Sequence, residues 1–143
     1  MTEVTLLSYD YPPNDGGISR LAAAVVTHSS GRGHRIRVLT LAPGPATGPV
    51  RPDVATTEVP RRKGAREWAT LTWLRRGPRS AVALATVWNP EATLLWLLQR
   101  RYVVMAHGNE VMPYPPGPRM AMRRWLRARV LLAARWVVCN SRY

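Results

Sequence analysis

"VTLLSYDYPPNDGGISRLAAAVVTHSSGRGHRIRVLT", residues 4–40, decides the fold. Val4–Ser8 is a short apolar run of strand formers, and the breakers of residues 11–15 end it. Ile18, Leu21, Ala22, Val25 and Val26 recur at helical spacing, which predicts a helix from Ile18 to about Ser30. Gly31 and Gly33 stand where a helix C-terminus is commonly closed. Ile36–Thr40 is alternating and β-branched, so it reads as a second strand. A strand, a helix and a strand in this span imply two parallel strands joined by a right-handed crossover.

The alternation continues to the end of the chain. Residues 41–53 form a Pro/Gly loop by composition, and Val54–Val59 reads as a third strand. A helix is expected over Ala65–Arg75, with Trp68, Leu71 and Leu74 near one face. Val82–Val87 reads as a buried strand, then Asn89 as an N-cap with Pro90 opening a helix. Tyr102–Ala106 and Trp136–Cys139 are further strands, with an amphipathic helix over Arg119–Ala134 between them. The fold class is therefore α/β, a doubly wound, Rossmann-like parallel sheet, with residues 1–143 as one domain.

Composition narrows the function. A chain of 143 residues with 46% hydrophobic content is not disordered as a whole. The longest apolar runs fall short of a membrane span, and the opening residues lack a signal-peptide pattern, so a cytoplasmic protein is expected. One cysteine, Cys139, excludes an internal disulfide and a cysteine metal cluster, and no metal site is expected. The net charge of +13 falls wholly in residues 61–143. Such asymmetry fits an anionic partner. The near-exclusive use of Arg over Lys, with a single Lys63, fits a GC-rich genome equally well.

Ligands of doubly wound sheets bind outside the carboxyl ends of the strands. Gly16 and Gly17 lie in the first such connection and open a helix. Bare backbone there admits close approach, and the helix offers N–H groups and a positive dipole end to a phosphate. A plain turn explains the pair as well, and it is not a dinucleotide fingerprint. "AHGNE", residues 106–110, ends the strand Tyr102–Ala106 on the same edge. His107 there is a candidate hydrogen-bonding or acid–base group, or a residue that closes its loop on backbone. His28 and His34, at the far end of the first helix, read as structural or solvated.

These motifs carry a resemblance. "DYPPNDGGISRLAAAVVTHSSGRGHRIRVLT", "VVMAHGNEV" and "RWVVCNSRY", in this order, resemble the opening domain of family 4 glycosyltransferases. The resemblance implies a GT-B architecture of two Rossmann-like domains facing across a cleft, and a retaining transfer that generally needs no metal and no cofactor. The first domain mostly holds the acceptor. The second holds most of the site for a nucleotide sugar, such as a UDP- or GDP-sugar. By motif, Gly16 and Gly17 would lie near the donor diphosphate and the acceptor, and His107 would be the catalytic residue beside the transferred sugar. Glu110 would shape the acceptor side, and Asn89 and Glu91 are acceptor-side candidates by position. The sequence given contains no counterpart of the second domain. The chain is therefore expected to be a fragment, a truncated product or one half of a split enzyme, inactive alone, with apolar surface uncovered.

Residues 119–135 form a basic helix. On a helical wheel Arg119, Arg123, Arg124 and Arg127 share a broad sector opposite Met122, Trp125, Leu126, Leu132 and Ala133. Either the apolar face packs on the sheet, or the helix touches an anionic membrane at the inner face. Two alternatives to the enzyme reading stay open: a basic α/β module for membrane or nucleic acid, and a non-functional remnant. No nucleic-acid motif is present, so nucleic acid is the weaker partner.

Overall fold

The computed structural model describes residues 2–43, 54–108 and 112–139. The strands are β1 Glu3–Leu7, β2 Arg35–Leu41, β3 Ala55–Val59, β4 Val82–Ala85, β5 Tyr102–Ala106 and β6 Trp136–Cys139. The helices are α1 Gly17–Gly31, α2 Ala65–Arg76, α3 Thr93–Leu97 and α4 Pro118–Ala133. All six strands join one sheet in the order β3-β2-β1-β4-β5-β6, and every pairing is parallel. This is the doubly wound α/β, Rossmann-like arrangement expected. The direction of winding reverses between β1 and β4, where Val4–Leu7 run beside Val82–Ala85.

Alternation along β1 divides the core. Leu6 packs with Ala22 and Val26 of α1 and with Ile36 and Val38 of β2. Leu7 faces the other way and packs with Leu74, Leu95, Tyr102, Val104 and Val130. The sheet is thus covered by α1 on one face and by α2, α3 and α4 on the other. Complete burial of side chains of this size contributes about 1.5–3 kcal/mol each. Both core layers hang on the pleat of one five-residue strand.

Two expectations about helix faces need correction. In α2 the buried residues are Thr70 and Leu74, while Trp68 is 71% exposed. Thr70 and Leu74 sit four residues apart on one face, and Trp68 falls on the other side of the wheel. Trp73 fills the inner position instead, with the Arg37 guanidinium stacked 4.6 Å from its ring centre. In α4 only Val130 is fully buried, and Leu126 and Leu131 pack beside it. Met122, Trp125 and Leu132 are 65%, 52% and 83% exposed, so most of the apolar sector read from the wheel faces away from the sheet.

The segment after β4 also differs. The strand ends at Ala85, before the expected Val87. Asn89 is extended but lies inside the turn, and the capping position falls to Val87 instead. A single wide turn, Trp88–Ala92, leads into α3, which stops at Leu97. Gln99 then takes a left-handed conformation with φ 51°, which ends the helix early. Arg100 turns back and donates to the carbonyls of Leu74, Gly77 and Pro78 at the end of α2.

Candidate functional site

Three connections leave the carboxyl edge of the sheet at its centre: residues 8–16 after β1, 86–92 after β4 and those from His107 onward after β5. The first two flank the reversal point, the usual ligand crevice of such sheets. They are tied together from below by one carboxylate. Glu91 is 1% exposed. Its Oε1 accepts the backbone N–H of Tyr9 at 2.7 Å. Its Oε2 accepts the Thr86 N–H at 2.8 Å, the Thr86 hydroxyl at 2.8 Å and the Val87 N–H at 3.1 Å. The Thr86 hydroxyl also lies 3.2 Å from Ser8 Oγ. Burial pushes the Glu91 carboxyl up to about 7, against the bonds from Tyr9, Thr86 and Val87, which lower it. Glu91 was expected on the acceptor side by position. In the fold both of its oxygens accept from the protein's own backbone and the Thr86 hydroxyl. Asn89, two residues earlier, is exposed.

His107 follows β5 and reaches back to β4. Its Nε2 lies 2.8 Å from the Thr86 carbonyl oxygen. A carbonyl only accepts, so Nε2 carries the proton and donates. A neutral ring held this way has Nδ1 as its acceptor nitrogen. The loop-closing bond considered from sequence is thus present, and it orients a ring that stays partly exposed. The next residue, Gly108, has φ 72°, a conformation that favours glycine.

The glycine pair separates into two roles. Gly16 is extended and caps α1, with no side-chain capping bond. A Cβ at Gly16 would stand 3.0 Å from Asp10 Oδ2, whereas one at Gly17 would meet nothing within 4 Å. What lies against the bare backbone of Gly16 is therefore the protein's own carboxylate. Gly17 is the exposed one. The first turn of α1 contains no acidic residue, so its dipole is not offset from within the helix. Asp10, which sequence reasoning passed over, is a candidate for the site by this nearness. It lies in the Pro-Pro connection, and only the folded turn brings it to Gly16.

β4 separates β1 from β5, so the glycine and histidine connections stand two strand spacings apart, roughly 10 Å. Glu110 lies outside the described residues. The four arginines of the basic helix do not act as one patch. Arg123 stacks over Tyr114 and Trp88 at 5.6 and 6.0 Å from the ring centres. Arg127 stacks over Tyr114 at 4.4 Å and donates to the Met112 carbonyl at 2.8 Å. Both brace the connection between β5 and α4. Arg119 and Arg124 remain exposed. Among the described residues no group of His, Cys, Asp and Glu could hold a metal ion. Among them, too, no helix is long and apolar enough to cross a membrane.

A family model described as Glycosyltransferase Family 4 matches residues 15–143. The chain belongs to this family. The match takes in α1 with Gly16 and Gly17, the Glu91 turn, His107 and all the strands after β1. No curated protein matches the chain in a direct sequence comparison. Membership gives the domain a glycosyltransferase-type function, with a sugar donor and an acceptor as its substrates.

Proposed function

We propose that this chain is the acceptor-side domain of a retaining glycosyltransferase that uses a nucleotide sugar. The observation that carries the reading is the fixed His107 ring beside the β1–β4 crevice, in a chain of this family. His107 is assigned to the transferred sugar. Its Nε2–H is held by Thr86, and the ring adjusts hydrogen bonding to a sugar hydroxyl as charge develops at the anomeric carbon. Gly17, with open space before it and a helix dipole behind it, is assigned to the donor diphosphate. Asp10 beside Gly16 would repel that group, so it is assigned to the acceptor side, where a carboxylate can accept from a hydroxyl. Asn89 remains an acceptor-side candidate. A facing domain of the GT-B kind supplies the rest of the nucleotide-sugar site, and this chain alone is expected to show no appreciable sugar transfer.

The test is an NMR titration of the chain with UDP-glucose and GDP-mannose. Shifts at Gly17, Asp10 and His107 are expected, weakened about tenfold in His107→Phe. Shifts confined to the opposite edge of the sheet, or rapid turnover by this chain alone, would sink the reading.

A second reading concerns α4. Met122, Trp125 and Leu132 are exposed beside Arg119, Arg124 and Arg129, and Arg129 stacks over Trp125 at 5.7 Å. This supports peripheral contact with an anionic membrane surface.

A further inference from the structure

We infer that Glu91 is a positioning residue for His107, acting through the single peptide unit that joins Thr86 to Val87. The inference deepens the proposed role of His107 and rests on it for its catalytic meaning. The peptide is gripped at both ends. Its N–H, on Val87, donates to Glu91 Oε2 at 3.1 Å, and its carbonyl, on Thr86, accepts from His107 Nε2 at 2.8 Å. The cis bonds of the chain are elsewhere, at Pro13 and Pro90, so this peptide is trans. Its N–H and carbonyl therefore point in opposite directions. Glu91 and His107 meet opposite edges of one rigid amide plane.

Two consequences follow from that plane. First, it is locked in rotation. Thr86 is fully buried, its own N–H and hydroxyl both donate to the same Glu91 oxygen, and its N–H also reaches the Leu7 carbonyl at 3.1 Å. The carbonyl aimed at His107 has no freedom to turn. Second, a carboxylate accepting from an amide N–H polarises that amide and makes its carbonyl a better acceptor. An ionised Glu91 thus favours every form of His107 that carries the Nε2 proton. The Tyr9 bond extends the same lock to the β1 connection that carries Asp10 and the glycines.

Other groups with charge or a titrating proton near this lock are few. Tyr9 comes from the β1 connection, with its phenol held 2.7 Å from Thr70 of α2. Arg66 and Glu67 of α2 act on the Tyr9 ring, and Arg123 of α4 lies over Trp88. His107 itself comes from β5. None of their side chains donates to the Glu91 oxygens, which are taken by the backbone N–H groups of Tyr9, Thr86 and Val87 and by the Thr86 hydroxyl.

The experiment reads the ring directly, with the chain labelled by 15N-histidine and 13C-glutamate. In Glu91→Gln the amide nitrogen must face N–H donors, so the lock opens. The ratio of Nε2–H to Nδ1–H tautomer at His107 should fall roughly fivefold, the worth of one ordinary hydrogen bond. Thr86→Val keeps the peptide and its Val87 N–H bond to Glu91, loses the hydroxyl's contacts with Glu91 and Ser8, and should hold most of the wild-type ratio. A folded Glu91→Gln variant with an unchanged ratio would overturn the inference. If that variant does not fold, the wild type still decides. The His107 Nε2–H proton resonance should move in the same pH step as the Glu91 carboxyl carbon, and a flat proton resonance through that step would overturn it. No sugar is needed in these measurements. Failure of nucleotide-sugar binding would remove the proposed function and leave this coupling, and a flat histidine would do the reverse.

Discussion

Glu91 accepts a 2.7 Å hydrogen bond from the backbone N–H of Tyr9, a residue 82 positions away. The bond joins the first and fourth strands' connections at the point where the sheet reverses its winding. The rest of the site is arranged around this bond.

The Glu91 carboxyl gives a pH-dependent stability with a definite sign. Burial lifts its folded-state pKa from 4.5 to about 7. Over that window the folded chain holds a proton that the unfolded chain has released. Stability from this group is therefore full below the unfolded value and is lost as pH rises towards 7. The shift corresponds to about 3 kcal/mol. Urea unfolding at pH 5 and pH 8 should show wild type weaker at pH 8, and Glu91→Gln should remove most of the difference. Equal slopes in the two proteins would contradict the assignment.

Tyr102 anchors the last helix. Its phenol donates to the Val130 carbonyl at 2.5 Å, close to the end of α4, where carbonyls lack helical partners. Burial of the phenol pushes its pKa up to about 12, so the donor stays protonated through the working range of pH. Tyr102→Phe keeps the ring and strands a buried carbonyl. A loss of about 1–3 kcal/mol is expected by chemical denaturation. A smaller loss would mean that water takes the place of the hydroxyl.

Arg100 closes the end of α2 with one planar group. Its guanidinium donates to the carbonyls of Leu74, Gly77 and Pro78. A lysine ammonium cannot reach three carbonyls in this fork. Arg100→Lys should destabilise by about 1 kcal/mol although the charge is kept, and Arg100→Met by somewhat more. Hydrogen exchange at the last turn of α2 should quicken in both. Unchanged exchange would mean that the cap is ornamental to the helix.

Much of the fold was legible because the periodicities were clean. Tyr102–Ala106 and Trp136–Cys139 are strands at the residues read from sequence. The alternation of helix and strand gave the parallel sheet directly. What failed was the choice of face. Helical spacing puts Trp68 on one face with Leu71 and Leu74, and it leaves the apolar sector with Trp125 to the sheet or to a membrane, whereas the core space under α2 and α4 is taken by Thr70, Leu74, Leu126 and Val130. Composition on a wheel does not reveal which side of a half-apolar helix meets the sheet. The edge was legible, because Gly17 and His107 both follow strand ends on it. Its wiring was not. A glutamate six residues past a strand end looks like a surface ligand until the fold supplies donors from Tyr9, Thr86 and Val87.

The outward face of α4 carries the last prediction. Met122, Trp125 and Leu132 expose apolar area that a lone surface helix usually hides, and guanidinium groups flank it at Arg119, Arg124 and Arg129. Trp125 lies along one edge of an open cavity of about 460 Å³ with Trp96, Arg129, Leu132 and Ala133. Anionic head groups would meet the arginines while acyl chains cover the tryptophan. Cosedimentation with phosphatidylglycerol vesicles should be measurable at low salt and weaken several-fold at physiological salt, since the attraction is screened. Trp125→Gln with Leu132→Gln should abolish the part that survives salt, and Arg124→Gln with Arg119→Gln the part that does not. The double arginine variant should leave unfolding unchanged, because neither side chain packs on the core. Self-association of the chain without vesicles, lost in the Trp125→Gln, Leu132→Gln variant, would instead assign the face to a second copy of this chain. No vesicle binding at any salt, with the chain monomeric, would leave α4 a surface helix and nothing more.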